Sequence, residues 1–341
     1  MEDLGKVDRP FFEEFVYPHL GTDRDDVLVG PRHGVDFGAV EIGERVLALA
    51  TDPVFVMPEL GFERAAWFAV HILLSDVAVS GLEPTHLAVD FNLPPETTDE
   101  QFRTIWEVFD REATELGVSI VTGHTARYAD CRFPMVGGGT AMAVGDPEDL
   151  VRPDGARPGD EIIVTKGPAV EATGVTSVLF GDQLDLPTET VEVAKERFYD
   201  ASPVRDALVA AGAGPVTAMH DATERGLYGG LVEVAESASV RFDIERNRIP
   251  VPPGVAETCE VLGMDPWSAS SSGTLVITAA PGGGDDVVAA LDEEGVPAAV
   301  VGSVAEGRGV SVDGERIEYP ESDPFWGTVE GLMADAGGER R

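Results

Sequence analysis

The longest apolar stretch of the chain, residues 65–81, reads AAWFAVHILLSDVAVSG. It is long enough for about four helical turns and is apolar almost all the way round, which indicates a helix buried inside a domain. Asp76 interrupts this stretch, and a buried carboxylate is costly unless it is paired, hydrogen-bonded or bound to a metal ion. Asp76 is therefore either a cap that turns back to a backbone amide near Gly81, or a ligand.

The chain has 341 residues, 43% of them hydrophobic, which is enough for two globular domains with their own cores. Asp76 interrupts the longest apolar stretch before that stretch reaches membrane-spanning length. The first ten residues, MEDLGKVDRP, lack the apolar segment of a secretory leader. The two cysteines, Cys131 and Cys259, have neither metal nor redox spacing. We therefore expect a cytoplasmic protein with no membrane partner.

The charge balance is strongly acidic, with 24 Lys and Arg against 62 Asp and Glu and a net charge of −38. The acidic residues are spread along the chain, which indicates a solvated surface rather than an interaction tail. Such a surface is tolerable in high salt, where the Debye length is only about 3 Å, so we expect a halophilic protein. Nucleic acid is not an expected partner, because phosphate binding needs clustered basic charge.

Predicted strands and helices form two blocks of similar size, separated by the polar, proline-rich residues 146–160. The first block has strands at 44–51, 85–93, 118–123 and 135–145, and helices at 62–80 and 99–117. The second block has strands at 161–167, 216–221, 240–244, 274–279 and 298–304, with helices between them. This pattern predicts α/β and α+β domains, at 1–150 and 151–325, followed by a tail at 326–341.

Aspartates recur in one setting, in which an apolar strand or helix is followed by Asp beside Gly, Ser or Thr. They are Asp36, Asp52, Asp76 and Asp221. Such carboxylates suit Mg²⁺, which binds a few carboxylates together with phosphate oxygens and neutralises charge during phosphoryl transfer from ATP. Each aspartate taken alone fits a turn or cap better.

Glycine-rich segments accompany these aspartates at 121–125, 136–143 and 165–174. Glycines allow backbone N–H groups to approach phosphate closely, although none of the segments is a Walker A loop or has dinucleotide-binding spacing. His124 and His220 fit either an acid–base role or a hydrogen-bonded structural role.

The order of the motifs carries more information than any one of them. It runs VDFGAV, ATDPV, SDVAVSGLEP, VTGHT, GGGTAMA, PGDEIIVTKG, MHDATERGL and SSGTLVIT. Over about residues 25–310 the chain resembles the ATP-dependent enzymes related to aminoimidazole ribonucleotide (AIR) synthetase, which include thiamine-monophosphate kinase and selenophosphate synthetase. Through MHDATERGL and CEVLGMDPWSASSSGTLVI it is most similar to the hydrogenase-maturation branch, which dehydrates a carbamoylated cysteine.

The resemblance implies a two-domain AIR-synthetase-like fold. The N-terminal domain would bind ATP and close a β-barrel with its dimer mate, so we expect a homodimer. It also implies that Asp36, Asp52 and Asp76 bind Mg²⁺ and the phosphates of ATP, which makes Asp76 a ligand rather than a cap. The resemblance further implies a nucleotide site lined by Gly123, Thr125 and Thr140. His124 is a catalytic candidate.

In the second domain, Asp221 matches a family position that faces the phosphates. We expect Asp221 and Glu171 to orient the acceptor or its metal ion, and Gly167 and Gly174 to let the backbone approach a phosphate. Lys166, one of three lysines in the chain, is a further catalytic candidate because it offers a compact point charge. It also fits a surface lysine that ends a strand.

The chain departs from the family pattern at Val35, where an acid is usual, and at His124, where the family often has Asp. The resemblance to the hydrogenase-maturation branch implies a carbamoyl-accepting cysteine at the extreme C-terminus. This sequence ends in MADAGGERR, and Cys259 lies far upstream, so we expect the carbamoyl chemistry not to be available in its usual form. The leading hypothesis is ATP- and Mg²⁺-dependent phosphorylation or activation of an amide, carboxylate or phosphate oxygen on a small-molecule or protein-borne acceptor. Alternatives are a thiamine-monophosphate kinase-like or purine-pathway ring-closing enzyme, or a nucleotide-binding paralogue without turnover.

Overall fold

A computed structural model describes residue 7 and residues 9–338. They divide into two units. The N-terminal unit contains Asp25–Gly30 and Asp36–Leu150, and the C-terminal unit contains Pro31–Val35, the residues from Val151 onward and the described residues up to Arg24. The short helix α1 (Arg9–Phe11) belongs to the C-terminal unit.

The N-terminal unit is built on a six-stranded sheet with the order β1-β2-β3-β6-β4-β5. Its strands are β1 (Val27–Val29), β2 (Gly38–Ile42), β3 (Arg45–Phe55), β4 (Pro84–Leu93), β5 (Ser119–Arg127) and β6 (Met135–Gly145). The β4–β5 pair is parallel and the other pairs are antiparallel. The sheet is open within the described chain, with β1 and β5 as its edges, so the barrel expected with a second copy stays a prediction.

Two helices of this unit, α2 (Phe62–Ala78) and α3 (Asp99–Glu115), cover one face of the sheet. The predicted buried helix is confirmed, because most residues of α2 are buried and the helix packs on β3, β6 and α3. α3 begins at a capping box formed by Thr98 and Gln101 and is followed by Gly117 at φ +72°.

The C-terminal unit is built on a seven-stranded sheet with the order β13-β12-β9-β11-β7-β10-β8. Its strands are β7 (Glu161–Thr165), β8 (Val216–Ala222), β9 (Arg241–Ile244), β10 (Thr274–Ala279), β11 (Ala298–Ala305), β12 (Gly309–Val312) and β13 (Glu315–Ile317). Only the β9–β12 pair is parallel within the described sheet. Every residue of β10 is buried, which explains its continuous apolar sequence.

The C-terminal unit also contains helices that lie between its strands or after the last of them. They are α4 (Val170–Phe180), α5 (Thr188–Glu196), α6 (Val204–Ala213), α7 (Gly226–Ser237), α8 (Val255–Leu262), α9 (Gly284–Glu293) and α10 (Pro324–Gly338). The sequence did not predict α10, which occupies most of the residues assigned to a tail. None of the helices in the described part of the chain is long and apolar enough to cross a membrane.

Candidate functional site

Asp52 lies on the side of β3 that faces the helices of the N-terminal unit. Its neighbours at alternate positions, Ala48 and Ala50, are buried, and Asp52 itself is half-buried. Asp52 pairs directly with Gly139 of β6, and a Cβ added at Gly139 would lie 2.8 Å from the side chain of Leu73 in α2. Because directly paired residues share one face of a sheet, the Asp52 carboxylate is on the α2 side.

Asp76 follows Leu73 by one turn of α2 and is half-buried. Residues three apart on a helix lie on neighbouring parts of one face, so Asp76 and Asp52 come from two elements that pack together near Leu73. The Gly81 amide donates to the Ala78 carbonyl, so a backbone carbonyl closes the turn after α2. That turn does not need Asp76 as a cap.

Asp36 lies two residues before β2 and is half-buried. Gly38 pairs with Leu49, and the two strands are antiparallel, so the chain before Gly38 runs along the residues that follow Leu49. Among the side chains that the structure describes, no three His, Cys, Asp or Glu residues lie close enough together to form a metal site. Mg²⁺ often takes one or two carboxylates plus phosphates and water, so the aspartates fit an ion that arrives with nucleotide rather than a preformed cage.

The glycine-rich segments of the N-terminal unit lie in strands, as predicted, since VTGHT is part of β5 and VGGGTAMA is part of β6. A Cβ added at Gly123 would lie 2.0 Å from the carbonyl oxygen of Val89. The glycine at position 123 therefore allows β5 to run close to β4, which explains it without a phosphate. Thr125 is exposed on the same edge strand.

Thr140 and His124 lie on the other face of this sheet, which we call the open face. Thr140 pairs with Thr51, and their Oγ1 atoms are 2.8 Å apart. Thr51 is adjacent to Asp52 and so points the opposite way. His124 pairs with Asp90, which follows the same alternation. The sheet therefore separates Thr140 and His124 from Asp52.

In the C-terminal unit, the loop before β10 donates four consecutive backbone N–H groups to four partners. In order along this Ser270–Gly273 loop, the acceptors are Asp323 Oδ1 at 3.3 Å, the Thr223 carbonyl at 3.1 Å, Glu171 Oε2 at 3.1 Å and Asp221 Oδ1 at 3.3 Å. The structure therefore brings the predicted pair Glu171 and Asp221 together on one loop. Neither the role of this loop nor that of Asp323 was predicted from the sequence.

Glu171 lies in the first turn of α4 and is 7% exposed. Burial raises the pKa of its carboxyl to about 7, hydrogen bonds from Ser272 oppose the rise, and the charges of Asp323 and Glu224 add to it. A carboxyl with a pKa near 7 gains and loses a proton readily at neutral pH, which suits an acid–base group.

Lys166 is 6% exposed, so the alternative of a surface lysine is wrong. Its Nζ lies 2.7 Å from Asp206 Oδ2 and donates to the carbonyls of Asp200 and Ser202, each at 2.8 Å. The compact charge that the sequence suggested is thus surrounded by oxygens of the protein itself. These contacts indicate that Lys166 anchors the loop after β7, and its contact with an acceptor stays a prediction.

Gly167 and Gly174 are both approached by the protein backbone. A Cβ at Gly167, where φ is +106°, would lie 1.9 Å from the Pro250 carbonyl oxygen, and a Cβ at Gly174 would lie 2.2 Å from the Phe198 nitrogen. Close packing accounts for both glycines, so their predicted phosphate contacts are not needed to explain them.

His220 is buried, with Nε2 2.9 Å from Glu233 Oε2. The other carboxylate oxygen of Glu233 accepts a hydrogen bond of 2.8 Å from the Tyr319 hydroxyl. These contacts favour the structural role for His220.

The chain also matches known proteins along most of its length. Residues 34–145 match the AIR synthase related protein, N-terminal domain, and residues 157–315 match the AIR synthase related protein, C-terminal domain. The carbamoyl dehydratase HypE of Rhizobium leguminosarum bv. viciae is 31% identical over 278 residues, which cover 80% of this chain and 77% of that protein. The chain belongs to the AIR synthase related family. The family predicted from the motif order, including its hydrogenase-maturation branch, is confirmed.

Solved structures of this family share the fold. The crystal structure of Escherichia coli HypE, a hydrogenase maturation protein, has a TM-score of 0.69 and 25% identity, covering 82% of this chain and 87% of that one. HypE in complex with ATP has a TM-score of 0.68 and 23% identity, covering 94% and 97%. The two-domain AIR-synthetase-like fold expected from the sequence is therefore confirmed.

Proposed function

We propose that this AIR synthase related protein uses ATP and Mg²⁺ to phosphorylate or activate an amide, carboxylate or phosphate oxygen of an acceptor. Its membership of the family makes it an ATP-dependent enzyme of the phosphotransferase or ligase type. The acceptor is a small molecule or a group carried by a protein, in the manner of the hydrogenase-maturation branch.

The placement of Asp52 carries the nucleotide part of the proposal. Asp52 lies on the side of β3 that α2 covers, and α2 supplies a second carboxylate, Asp76, one turn from the residue that packs at Gly139. Asp36 adds a third from the segment before β2. When bound, Mg²⁺ would neutralise phosphate charge, and these aspartates would hold it together with the phosphates of ATP.

The part of the proposal that concerns the acceptor rests on the Ser270–Gly273 loop. It fixes the carboxylates of Glu171 and Asp221 through backbone N–H groups. Glu171 has a pKa of about 7 because of its burial, so it can accept the proton of an acceptor group at neutral pH. Phosphoryl transfer then depends on orienting the acceptor rather than on a covalent nucleophile.

Cys259 does not replace the C-terminal cysteine of the hydrogenase-maturation enzymes. It is 1% exposed, and burial raises the pKa of its thiol to about 12. The thiolate is the nucleophilic form, so the folded protein offers no reactive sulfur at this position. This supports an acceptor other than a thiol at Cys259.

Calorimetric titration with ATP and Mg²⁺ tests the nucleotide site. Asp52→Asn and Asp76→Asn should each weaken binding roughly ten-fold or more, since a hydrogen bond to a charged group is worth about 1.5–3 kcal/mol. Asp110→Asn, which alters an exposed aspartate of α3 in the same unit, is the matched control. Unchanged affinity in both test variants, with their stability intact, would return Asp76 to a purely structural role.

Turnover of ATP with a panel of acceptors tests the acceptor part. Asp221→Asn should abolish turnover while leaving ATP affinity within a few fold. Binding of ATP without turnover on any acceptor, in the wild type, would instead support the nucleotide-binding paralogue.

A further inference from the structure

Asp323 lies outside the residues that match the family, which end at 315, yet it is bonded to the loop that holds Glu171 and Asp221. Its carboxylate accepts four hydrogen bonds. Oδ1 accepts from Ser270 N–H at 3.3 Å and Phe325 N–H at 2.9 Å, and Oδ2 accepts from Arg225 N–H at 2.9 Å and Ser270 Oγ at 2.7 Å. The carboxylate thus joins three separate segments of the C-terminal unit.

The first segment is the start of α10. Phe325 and Val329 of this helix are 2% and 4% exposed, so the helix is anchored in the core of the unit. Asp323 stands directly before α10 and accepts from the Phe325 N–H, which is the usual role of an aspartate at a helix N-terminus. Its position is therefore fixed independently of the two loops that it contacts.

The second segment is the turn between β8 and α7. Arg225, which precedes α7, has φ +64°, a conformation that a residue with a side chain adopts only when its surroundings hold it there. The Asp323 carboxylate supplies such a restraint through the Arg225 N–H. This turn directly follows Asp221 in the sequence.

The third segment is the Ser270–Gly273 loop itself. Asp323 binds both the N–H and the hydroxyl of Ser270, and the N–H groups of Ser272 and Gly273 then reach Glu171 and Asp221. At Gly273, where φ is +98°, an added Cβ would lie 1.9 Å from the Asp200 carbonyl oxygen, so this end of the loop has little freedom to shift. At the Ser270 end, Asp323 accepts from both the N–H and the hydroxyl of Ser270, while the Ser270 carbonyl accepts from the Ala172 N–H.

We propose that Asp323 is a positioning residue of the acceptor site, which fixes the Ser270–Gly273 loop so that its N–H groups hold the carboxylates of Glu171 and Asp221. The part of this proposal that concerns the acceptor rests on the proposed function. The positioning of the loop does not, because it follows from the hydrogen bonds alone.

An aspartate is required because both carboxylate oxygens are used as acceptors. Asp323→Asn keeps the shape and one accepting oxygen but replaces the other with an N–H donor, so it should preserve part of the restraint. Asp323→Ala removes all four bonds. Asp265→Asn is the matched control, because the Asp265 carboxylate accepts from Trp267 N–H and Ser268 Oγ on the same segment without contacting the Arg225 turn.

Amide hydrogen exchange of the full chain in molar KCl is the direct readout. Exchange at Ser272 and Gly273, whose acceptors Glu171 and Asp221 are unchanged, should rise roughly ten-fold or more in Asp323→Ala and less in Asp323→Asn. It should stay at the wild-type rate in Asp265→Asn. If Asp323 served only to begin α10, exchange would rise at Val329 and not at Ser272 or Gly273, which would overturn the proposal.

Turnover separates this proposal from the proposed function. If Glu171 and Asp221 act on the acceptor, Asp323→Asn should lower kcat and leave the KM for ATP within two-fold or so, because the nucleotide ligands lie in the other unit. Faster exchange at Ser272 with unchanged kcat would support the positioning of the loop and contradict the acceptor role. Unchanged exchange in Asp323→Asn and Asp323→Ala would refute the positioning whatever the activity.

Discussion

Replacing Glu171 with glutamine should change how the stability of the protein depends on pH. Burial raises the pKa of this carboxyl from its ordinary value of 4.5 to about 7. The folded protein therefore holds the proton more tightly than the unfolded chain does, and ionising Glu171 costs free energy of folding. Since one pKa unit corresponds to about 1.4 kcal/mol, the full cost is about 3 kcal/mol.

The direction of the effect follows from the two pKa values. Below pH 4.5 Glu171 is protonated in both states, so it adds no cost. Between 4.5 and about 7 the unfolded chain has lost the proton and the folded protein has not, so stability falls as the pH rises. Above that window the cost is complete. Glu171→Gln cannot ionise, and its amide oxygen can still accept from Ser272 N–H, so it should escape this loss.

Urea unfolding of wild type and Glu171→Gln in molar KCl measures the difference. The free energy of unfolding of the variant, relative to wild type, should rise by about 3 kcal/mol between pH 4.5 and pH 8. Glu189→Gln, which removes an exposed carboxylate from the first turn of α5, is the control and should show no such trend. A difference between Glu171→Gln and wild type that is the same at every pH would refute the reasoning.

Two further predictions concern assembly and the cysteines. Val144 lies on the open face of the N-terminal sheet and is 39% exposed, so this face is available to a second copy of the chain. Light scattering in molar salt should give the mass of a dimer for the wild type and of a monomer for Val144→Asp, whereas the control Val261→Asp, on α8, should remain a dimer. A monomeric wild type would contradict the dimer. Iodoacetamide should modify Cys131 in the folded protein and leave Cys259, whose thiol pKa burial raises to about 12, unmodified until the chain is unfolded; modification of folded Cys259 would contradict its burial.

Strongly periodic segments could be predicted from the sequence because the spacing of their apolar residues shows which positions are buried. The helix at 62–80 and the amphipathic helix at 99–117 correspond to α2 and α3, and the strand at 274–279 corresponds to β10. The helix α10 was not predicted, because Pro and Gly interrupt its apolar residues. Its burial depends on the core against which Phe325 and Val329 pack, and the sequence does not show that core. The strands predicted at 118–123 and 135–145 correspond to β5 and β6. The nucleotide contact inferred for the glycine of VTGHT stays a prediction, because a glycine in an edge strand and a glycine that contacts phosphate look alike in sequence.

The sequence by itself determined the family, the two blocks of structure and the identity of the carboxylates, because motif order and periodicity are properties of the chain alone. Tertiary structure alone decided which of the predicted residues share a site. Strand register placed Asp52 on the α2 side of its sheet and Thr140 on the other, since a side chain's face depends on its partner strand. Three of the four N–H groups of the Ser270–Gly273 loop donate to carboxylates and the fourth donates to the Thr223 carbonyl. These acceptors come from segments far apart in sequence, and only folding brings such segments together.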